Sequence, residues 1–241
     1  MPGLLEGKRA LVTGASKGIG RAICHALAAE GAHVTGVARA SNELGSLSAE
    51  LGQAFDPWPY DVTGEEVLTR IAAAPAFDIL INNAGTNRPE PFTQATDAAL
   101  DLMLDLNVRA PFRIARAAAR KMVRGATIIH MTSQMGRVGS PNRTVYCMTK
   151  HALEGLSKAM AVELAPAGIR VNCVAPTFVK TPMTETMFAD PAFAAFVERM
   201  IPMGELATAE QVAAAVVYLA SPAAAMITGH SLLIDGGWTA Q

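Results

Sequence analysis

The chain has 241 residues, a formal net charge of −1, and hydrophobic residues at 51% of its positions. This length and composition predict one large α/β domain, and the near-neutral charge gives no reason to expect nucleic acid or an anionic membrane as a partner. Charged residues make up only 17% of the chain, which favours burial of some surface against other subunits.

The cysteines and histidines are scattered along the chain, and none lies at a spacing typical of metal ligands. We therefore expect free thiols in a reducing compartment and no catalytic metal. The N-terminal segment leads directly into a predicted strand without the features of a signal sequence. The longest apolar stretch is interrupted at Ser221-Pro222, so we expect a cytoplasmic protein without a membrane span.

Six short apolar runs alternate with alanine- and leucine-rich stretches of helical periodicity. The predicted strands lie at 9–14, 33–39, 77–85, 126–133, 169–176 and 231–237. Continuous apolar strands separated by helices are typical of a parallel sheet that is buried on both faces. We therefore predict a single α/β domain over residues 1–241, built on a doubly wound parallel sheet flanked by helices.

A glycine-rich loop follows the first predicted strand and opens the first helix, with glycines at Gly14, Gly18 and Gly20. In a doubly wound sheet, ligands bind beyond the carboxyl ends of the strands. Glycine lets the backbone approach a diphosphate closely, and a helix N-terminus offers free N–H groups. The loop therefore indicates dinucleotide binding, with a purely structural turn as the alternative.

Five motifs stand in the order and spacing of one enzyme family. They are TGASKGIG at 13–20, NNAG at 82–85, Asn107, Ser133, and the pair Tyr146 and Lys150. In these features, and in IDGGWTA at 234–240, the chain resembles the short-chain dehydrogenase/reductase family over nearly its whole length. The resemblance implies a nicotinamide-dependent oxidoreductase with a Rossmann fold, commonly a homotetramer.

The pair Tyr146 and Lys150 lies at i and i+4, which places both side chains on one face of a predicted helix. By itself this spacing is more typical of two solvated side chains on one helical face. A free tyrosine has a pKa of about 10, and a nearby ammonium and a cationic nicotinamide would each lower it. The resemblance implies that Tyr146 exchanges a proton with the substrate oxygen, while Lys150 also holds the nicotinamide ribose.

The other two members of the tetrad are also assigned by the resemblance. Ser133 matches the serine that hydrogen-bonds the substrate oxygen and stabilises developing charge. Asn107 matches the helical asparagine that helps to hold a water in the proton relay to Lys150. Each of the two, taken alone, could equally be an ordinary polar residue at the end of an element.

The resemblance further implies a set of cofactor contacts besides Tyr146 and Lys150. They are Gly14, Ser16, Lys17, Gly18, Ile19 and Gly20 in the glycine-rich loop, Asp61 and Val62 at the adenine, Asn83, Ala84 and Gly85 in the cleft, and Pro176, Val179 and Thr181 around the nicotinamide amide. In the last of these loops Thr177 replaces the glycine that is usual in the family.

The end of the second predicted strand bears on the choice of nicotinamide cofactor. An acidic residue there would bind the ribose hydroxyl of NAD and repel a 2′-phosphate. Ala38 stands in its place, Arg39 follows, and Lys17 and Ser41 could help to hold a phosphate. This pattern favours NADP(H). NAD(H) stays open as the alternative in which Arg39 stacks on the adenine or faces solvent.

The substrate is predicted only as a class. The polar loop with Asn87, Arg88 and Glu90 looks more like family members that act on polyols and sugar acids than like 3-oxoacyl-[acyl-carrier-protein] reductases. We therefore expect an enzyme with a secondary alcohol or ketone as its substrate. Reduction of 3-oxoacyl thioesters is the second candidate activity. A non-catalytic sensor that binds a dinucleotide is the alternative that is not an enzyme.

A substrate lid is expected at about 177–205. Apolar side chains at helical spacing, such as those of this segment, more often pack between lid and core than contact the substrate. Those of this segment are Met183, Met187, Phe188, Phe193, Phe196 and Met200.

The subunit contacts of a homotetramer are expected on two surfaces. Residues 97–122 and 144–164 correspond to the long subunit-packing helices of the family. The last predicted helix and the strand at 231–237 correspond to its second interface.

Overall fold

The computed structural model describes residues 3–181, 184 and 188–241. Seven parallel strands form one sheet in the order β3-β2-β1-β4-β5-β6-β7. Their bounds are β1 Arg9–Thr13, β2 His33–Ala38, β3 Phe55–Pro59, β4 Ile79–Asn82, β5 Thr127–Met131, β6 Arg170–Pro176 and β7 Ser231–Ile234. The predicted α/β fold with a doubly wound parallel sheet is confirmed.

Helices cover both faces of the sheet. Their bounds are α1 Gly18–Ala29, α2 Asn42–Leu51, α3 Glu65–Ala73, α4 Asp97–Leu104, α5 Ala110–Ala119, α6 Thr144–Leu164, α7 Pro191–Met200 and α8 Ala209–Ala220. A π-helical turn, Asp105–Arg109, joins α4 to α5.

Strand β3 is absent from the sequence prediction. Its sequence contains Pro57 and Pro59, which lack a backbone N–H group. A central strand uses such groups for hydrogen bonds with the strands on both of its sides. The structure places β3 at the edge of the sheet, where it pairs with β2 alone. Proline is tolerated there because one side of an edge strand has no partner strand.

Two apolar layers sandwich the sheet. On one face α1 packs against α8 through buried side chains such as Ile23, Leu27 and Val216. On the other face α3, α5 and α6 cover residues such as Leu80 and Ile128. Burial on both faces explains why the central strands are continuously apolar. The polar functional groups are therefore concentrated at the carboxyl ends of the strands.

The carboxyl ends of β1 and β4 are held together by Thr13. Its buried hydroxyl oxygen accepts hydrogen bonds from the backbone N–H groups of Asn83 and Ala84, both at 3.0 Å. The side-chain amide of Asn83 returns bonds to the carbonyl oxygens of Thr13, at 3.0 Å, and Gly14, at 3.2 Å. These four bonds fix the glycine-rich loop against the loop that follows β4.

We expect Thr13→Val to lower the free energy of unfolding by about 2 kcal/mol, because it leaves two buried N–H groups without an acceptor. Urea denaturation at fixed protein concentration measures the change. Thr127→Val is the matched control: Thr127 is equally buried in β5, and its hydroxyl has no partner among the described residues. This control should be neutral or stabilising, and equal losses in the two variants would contradict the role of Thr13.

Candidate active site

A cleft of about 1110 Å³ opens at the carboxyl ends of the central strands. Of the site residues expected from the sequence, all but Asn107 line it. They are Gly14, Ser16, Lys17, Gly18, Ile19, Gly20, Arg39, Asp61, Val62, Asn83, Ala84, Gly85, Ser133, Tyr146, Lys150, Pro176, Val179 and Thr181. The cleft begins where the strand order reverses between β1 and β4, which is the usual ligand position in such sheets.

The glycine-rich loop fits a diphosphate. Gly14 has a φ of 67°, and a Cβ there would lie 2.9 Å from the Cα of Ala84. A Cβ on Gly20 would lie 2.1 Å from the carbonyl oxygen of Gly14, so no side chain can be accommodated. The N-cap residue of α1, Lys17, makes no side-chain cap, which leaves the first N–H groups of the helix for an anion.

Two cationic side chains, Lys17 and Arg39, line the far end of the cleft. Arg39 follows β2 directly, and the Lys17 ammonium lies 2.6 Å from the Glu43 carboxylate. One carboxylate oxygen of Asp61 accepts a hydrogen bond of 2.8 Å from the backbone N–H of Thr63. Hydrogen bonds from Thr63 and the charge of Arg39 lower the pKa of Asp61. Lys17 and Arg39 both line the cleft, and β2 ends at Ala38 without an acidic residue.

The opposite end of the cleft brings Ser133, Tyr146 and Lys150 together. Lys150 is buried on α6, and its ammonium donates a hydrogen bond of 2.8 Å to the carbonyl oxygen of Met131 in β5. The ammonium lies 5.4 Å from the centre of the Tyr146 ring. The Ser133 hydroxyl follows β5 and donates to the carbonyl oxygen of Pro176 in β6, at 3.3 Å.

Burial dominates the electrostatics of this triad. It raises the pKa of Tyr146 to about 12, against the lowering effect of its hydrogen bond with Ser133. It lowers the pKa of Lys150 to about 8. Among the protein's own groups, loss of hydration is the largest contribution to the pKa of Tyr146, whereas the expected lowering also involves the charge of a bound cationic nicotinamide and stays a prediction. Tyr146 carries its proton at neutral pH.

Asn107 lies in the π-helical turn between α4 and α5 and is fully buried. Its side-chain amide donates to the carbonyl oxygen of Thr86, at 2.8 Å, and to the hydroxyl of Thr149, at 3.1 Å. Its side-chain oxygen accepts from the backbone N–H of Thr86, at 2.8 Å. Both amide hydrogens are thus committed. The side chain connects the loop after β4 to α6. Because its polar groups are used in this way, a water in a relay to Lys150 would have to bind the backbone of Asn107.

Several residues that shape the site were not singled out in the sequence. Thr13 and Thr149 hold the loops, and Glu154 accepts two hydroxyl hydrogen bonds beneath Lys150. Glu154 stands four residues after Lys150, so helical spacing would have placed it on the same face. For Thr13 and Thr149, no sequence pattern indicates a long-range partner.

The aromatic side chains that were expected in a lid pack against one another and against Trp238. Phe178, Phe188, Phe193 and Trp238 have ring centroids 5.3–6.2 Å apart in successive contacts. Phe196 and Met200 join the same cluster. The contacts of these side chains agree with the interpretation that they pack between lid and core. Met183 and Met187 lie outside the described residues. Of the cluster, Phe178 also lines the cleft.

Asn142 connects two loops at the mouth of the cleft. It has a φ of 60°, and among the described residues it is the one non-glycine residue with a positive φ. Its carbonyl oxygen accepts a hydrogen bond of 2.9 Å from the backbone N–H of Glu90. The loop that carries Asn87 and Arg88 is thereby tied to the segment that leads into α6.

Comparison with known proteins places the chain in a family. A profile of the family described as enoyl-(acyl carrier protein) reductase matches residues 14–239. D-erythrulose reductase of Gallus gallus is 39% identical, covering 97% of this chain and 96% of its own. L-xylulose reductase of Bos taurus is 40% identical, covering 98% of both. The structure of a gluconate 5-dehydrogenase from Burkholderia cenocepacia J2315, in complex with NADP and tartrate, is similar with a TM-score of 0.93 at 31% identity, covering 98% of this chain and 97% of that one.

The chain belongs to the short-chain dehydrogenase/reductase family. It is an oxidoreductase of the kind that acts on CH–OH groups. In the part of the chain that the structure covers, no helix is both long and apolar enough to cross a membrane. The same residues contain no cluster of three or more histidine, cysteine, aspartate or glutamate side chains that could hold a metal.

Proposed function

We propose that this protein is an NADP(H)-dependent oxidoreductase that interconverts a secondary alcohol and a ketone on a polyol or a sugar acid. The observation that carries the proposal is the convergence of Ser133, Tyr146 and Lys150 at one end of a cleft whose other end carries Lys17 and Arg39. Relatives described as reductases of erythrulose and xylulose and as a gluconate dehydrogenase support the substrate class.

The chemistry divides among few side chains. Bound NADP(H) would supply or accept the hydride, held by the glycine-rich loop and Lys150. Ser133 donates a hydrogen bond to the substrate oxygen and stabilises the charge that develops there. The Tyr146 hydroxyl gives its proton to the oxygen in reduction and takes it back in oxidation. Because Tyr146 is protonated at neutral pH, it is in the form that donates the proton in reduction.

Substrate choice is proposed to lie with the loop after β4 and with a lid at residues 177–205. Arg88 and Asn87 line the cleft, and the carboxamide oxygen of Asn87 is buried without a partner among the described residues. Such groups suit the hydroxyl and carboxylate oxygens of a polyol or sugar acid. Reduction of 3-oxoacyl thioesters is the second candidate, because Phe178 gives the cleft one apolar wall.

A non-catalytic dinucleotide sensor is disfavoured by the burial of Lys150. Removing an ammonium from water costs free energy, and binding of a dinucleotide does not require the burial. A lysine with a pKa of about 8 beside a tyrosine is instead suited to proton transfer.

Assays of small ketones, keto-sugars, keto-sugar acids and 3-oxoacyl thioesters with NADPH test the proposal. Tyr146→Phe should reduce kcat/KM by about a thousandfold, the size typical of a lost general acid, while the Kd for NADPH stays within about twofold. Tyr218→Phe, at an exposed position of α8, is the matched control and should match the wild type. Wild-type turnover by Tyr146→Phe would refute the mechanism, and efficient reduction of thioesters alone would reverse the order of substrates.

Arg39→Asp should move the cofactor preference from NADPH toward NADH. The new carboxylate would repel a 2′-phosphate and accept hydrogen bonds from a ribose hydroxyl. The ratio of kcat/KM for the two cofactors measures the change. Arg120→Asp makes the same change of charge directly after α5, outside the cleft, and should leave the ratio unaltered. A wild-type preference for NADH would contradict the assignment.

A homotetramer in the cytoplasm completes the proposal. Large apolar side chains are exposed on the helices expected to pack between subunits: Leu102, Phe112, Met148 and Val162. The three buried cysteines are free thiols, as suits a reducing compartment. Light scattering should give four times the 25.2 kDa mass of the chain. A mass equal to one chain would refute the tetramer.

A further inference from the structure

A buried carboxylate lies directly behind the candidate catalytic pair. Glu154 is one helical turn beyond Lys150 on α6, and its side chain is 6% exposed. One carboxylate oxygen accepts the hydroxyl of Thr132 at 2.7 Å and the hydroxyl of Ser231 at 2.8 Å. Gly136 covers it from above: a Cβ on Gly136 would lie 3.1 Å from the Cγ of Glu154. The carboxylate thus joins α6, the end of β5 and the start of β7.

This position is unfavourable for an acid that only serves packing. Two neutral hydroxyl donors compensate the desolvation of a carboxylate only in part. Among the described residues no cationic nitrogen lies within 4.0 Å of it. A well-packed apolar residue would serve packing alone at least as well.

The groups around the Lys150 ammonium single out Glu154 as its counter-charge. Burial lowers the pKa of Lys150, while Cys173 and Glu154 act in the opposite direction. The Cys173 thiol, in β6, cannot supply a charge near neutral pH, since burial raises its pKa to about 12. Burial lowers the pKa of His130, in β5, to about 4, so it is neutral. Tyr146 is protonated as well.

We propose that Glu154 is a positioning residue for the reaction: its carboxylate keeps the buried Lys150 ammonium charged, and its hydrogen bond to Thr132 anchors the segment that carries Ser133. The charge acts through the low-dielectric space along one face of α6, where screening is weak. The inference rests on the proposed function, because it concerns the proton donor and charge of that same site.

The sign of the expected effect follows from the direction of each contribution. Lys150 is an ammonium below its pKa, which burial has already lowered to about 8. Loss of the Glu154 charge lowers that pKa further, so the ammonium is lost at a lower pH. The alkaline limb of ketone reduction, where activity falls as Lys150 loses its proton, must therefore move toward lower pH.

Glu154→Gln is the informative variant, because a glutamine oxygen can still accept the two hydroxyl hydrogen bonds. We expect the alkaline limb of kcat/KM for ketone reduction with NADPH to move down by about one pH unit, because the variant loses one buried charge on the next turn of the helix. Glu154→Asp, which keeps the charge, should restore at least part of the shift. Ser231→Ala removes one hydrogen bond without changing the charge, and should leave the limb in place.

A second measurement needs no turnover. Lysine labelled with ¹³C at Cε allows the Lys150 titration to be followed by NMR, with Lys150→Met identifying the signal. The midpoint in Glu154→Gln should lie below that of the wild type and of Ser231→Ala. If no substrate is turned over while the midpoint still moves, the proposed function fails and the coupling stands. If the midpoint and the limb stay in place while the melting temperature falls, Glu154 is merely structural and the proposal is overturned.

Discussion

The burial of the Lys150 ammonium against the carbonyl oxygen of Met131 is the constraint on which the site depends. A charge that is largely removed from water needs a compensating dipole, and here that dipole comes from a different element than the lysine itself. Strand β5 supplies the carbonyl group, α6 supplies the lysine, and the π-helical turn at Asn107 ties the loop after β4 to the same helix. The sheet therefore matters to the chemistry because it brings these elements to one edge.

The same loss of hydration favours the protonated form of Tyr146. Its pKa of about 12 and the pKa of about 8 at Lys150 are shifted in opposite directions by one cause, the loss of hydration. The ordinary pKa values of the two groups, 10.0 and 10.5, are nearly equal, so burial moves them apart. At neutral pH Tyr146 is therefore firmly protonated, whereas Lys150 is close to the pH at which it loses its proton, and nearby charge acts mainly on Lys150.

Much of the fold could be read from the sequence, since strands buried on both faces must be apolar and the helices between them amphipathic. The lining of the cleft was also predictable, because glycines after a strand and a Tyr–Lys pair at helical spacing are local patterns. What could not be read depends on distant partners. The prolines of β3 concealed an edge strand, and the bonds of Asn107 with Thr86 and Thr149 exist only in three dimensions. The burial that raises the pKa of Tyr146 could not be predicted either, because the i and i+4 spacing does not show how deeply the ring lies.

The prolines of β3 have a consequence for the behaviour of the protein in concentrated solution. An unprotected edge strand offers a row of N–H and C=O groups on which another chain can align and aggregate. Pro57 and Pro59 interrupt that row, so the β3 edge is a poor template for intermolecular β-sheet growth. The opposite edge is β7, a strand of four residues without proline. The two edges of the sheet therefore differ. Proline hinders backbone pairing with another molecule at the β3 edge, and no proline hinders it at the β7 edge.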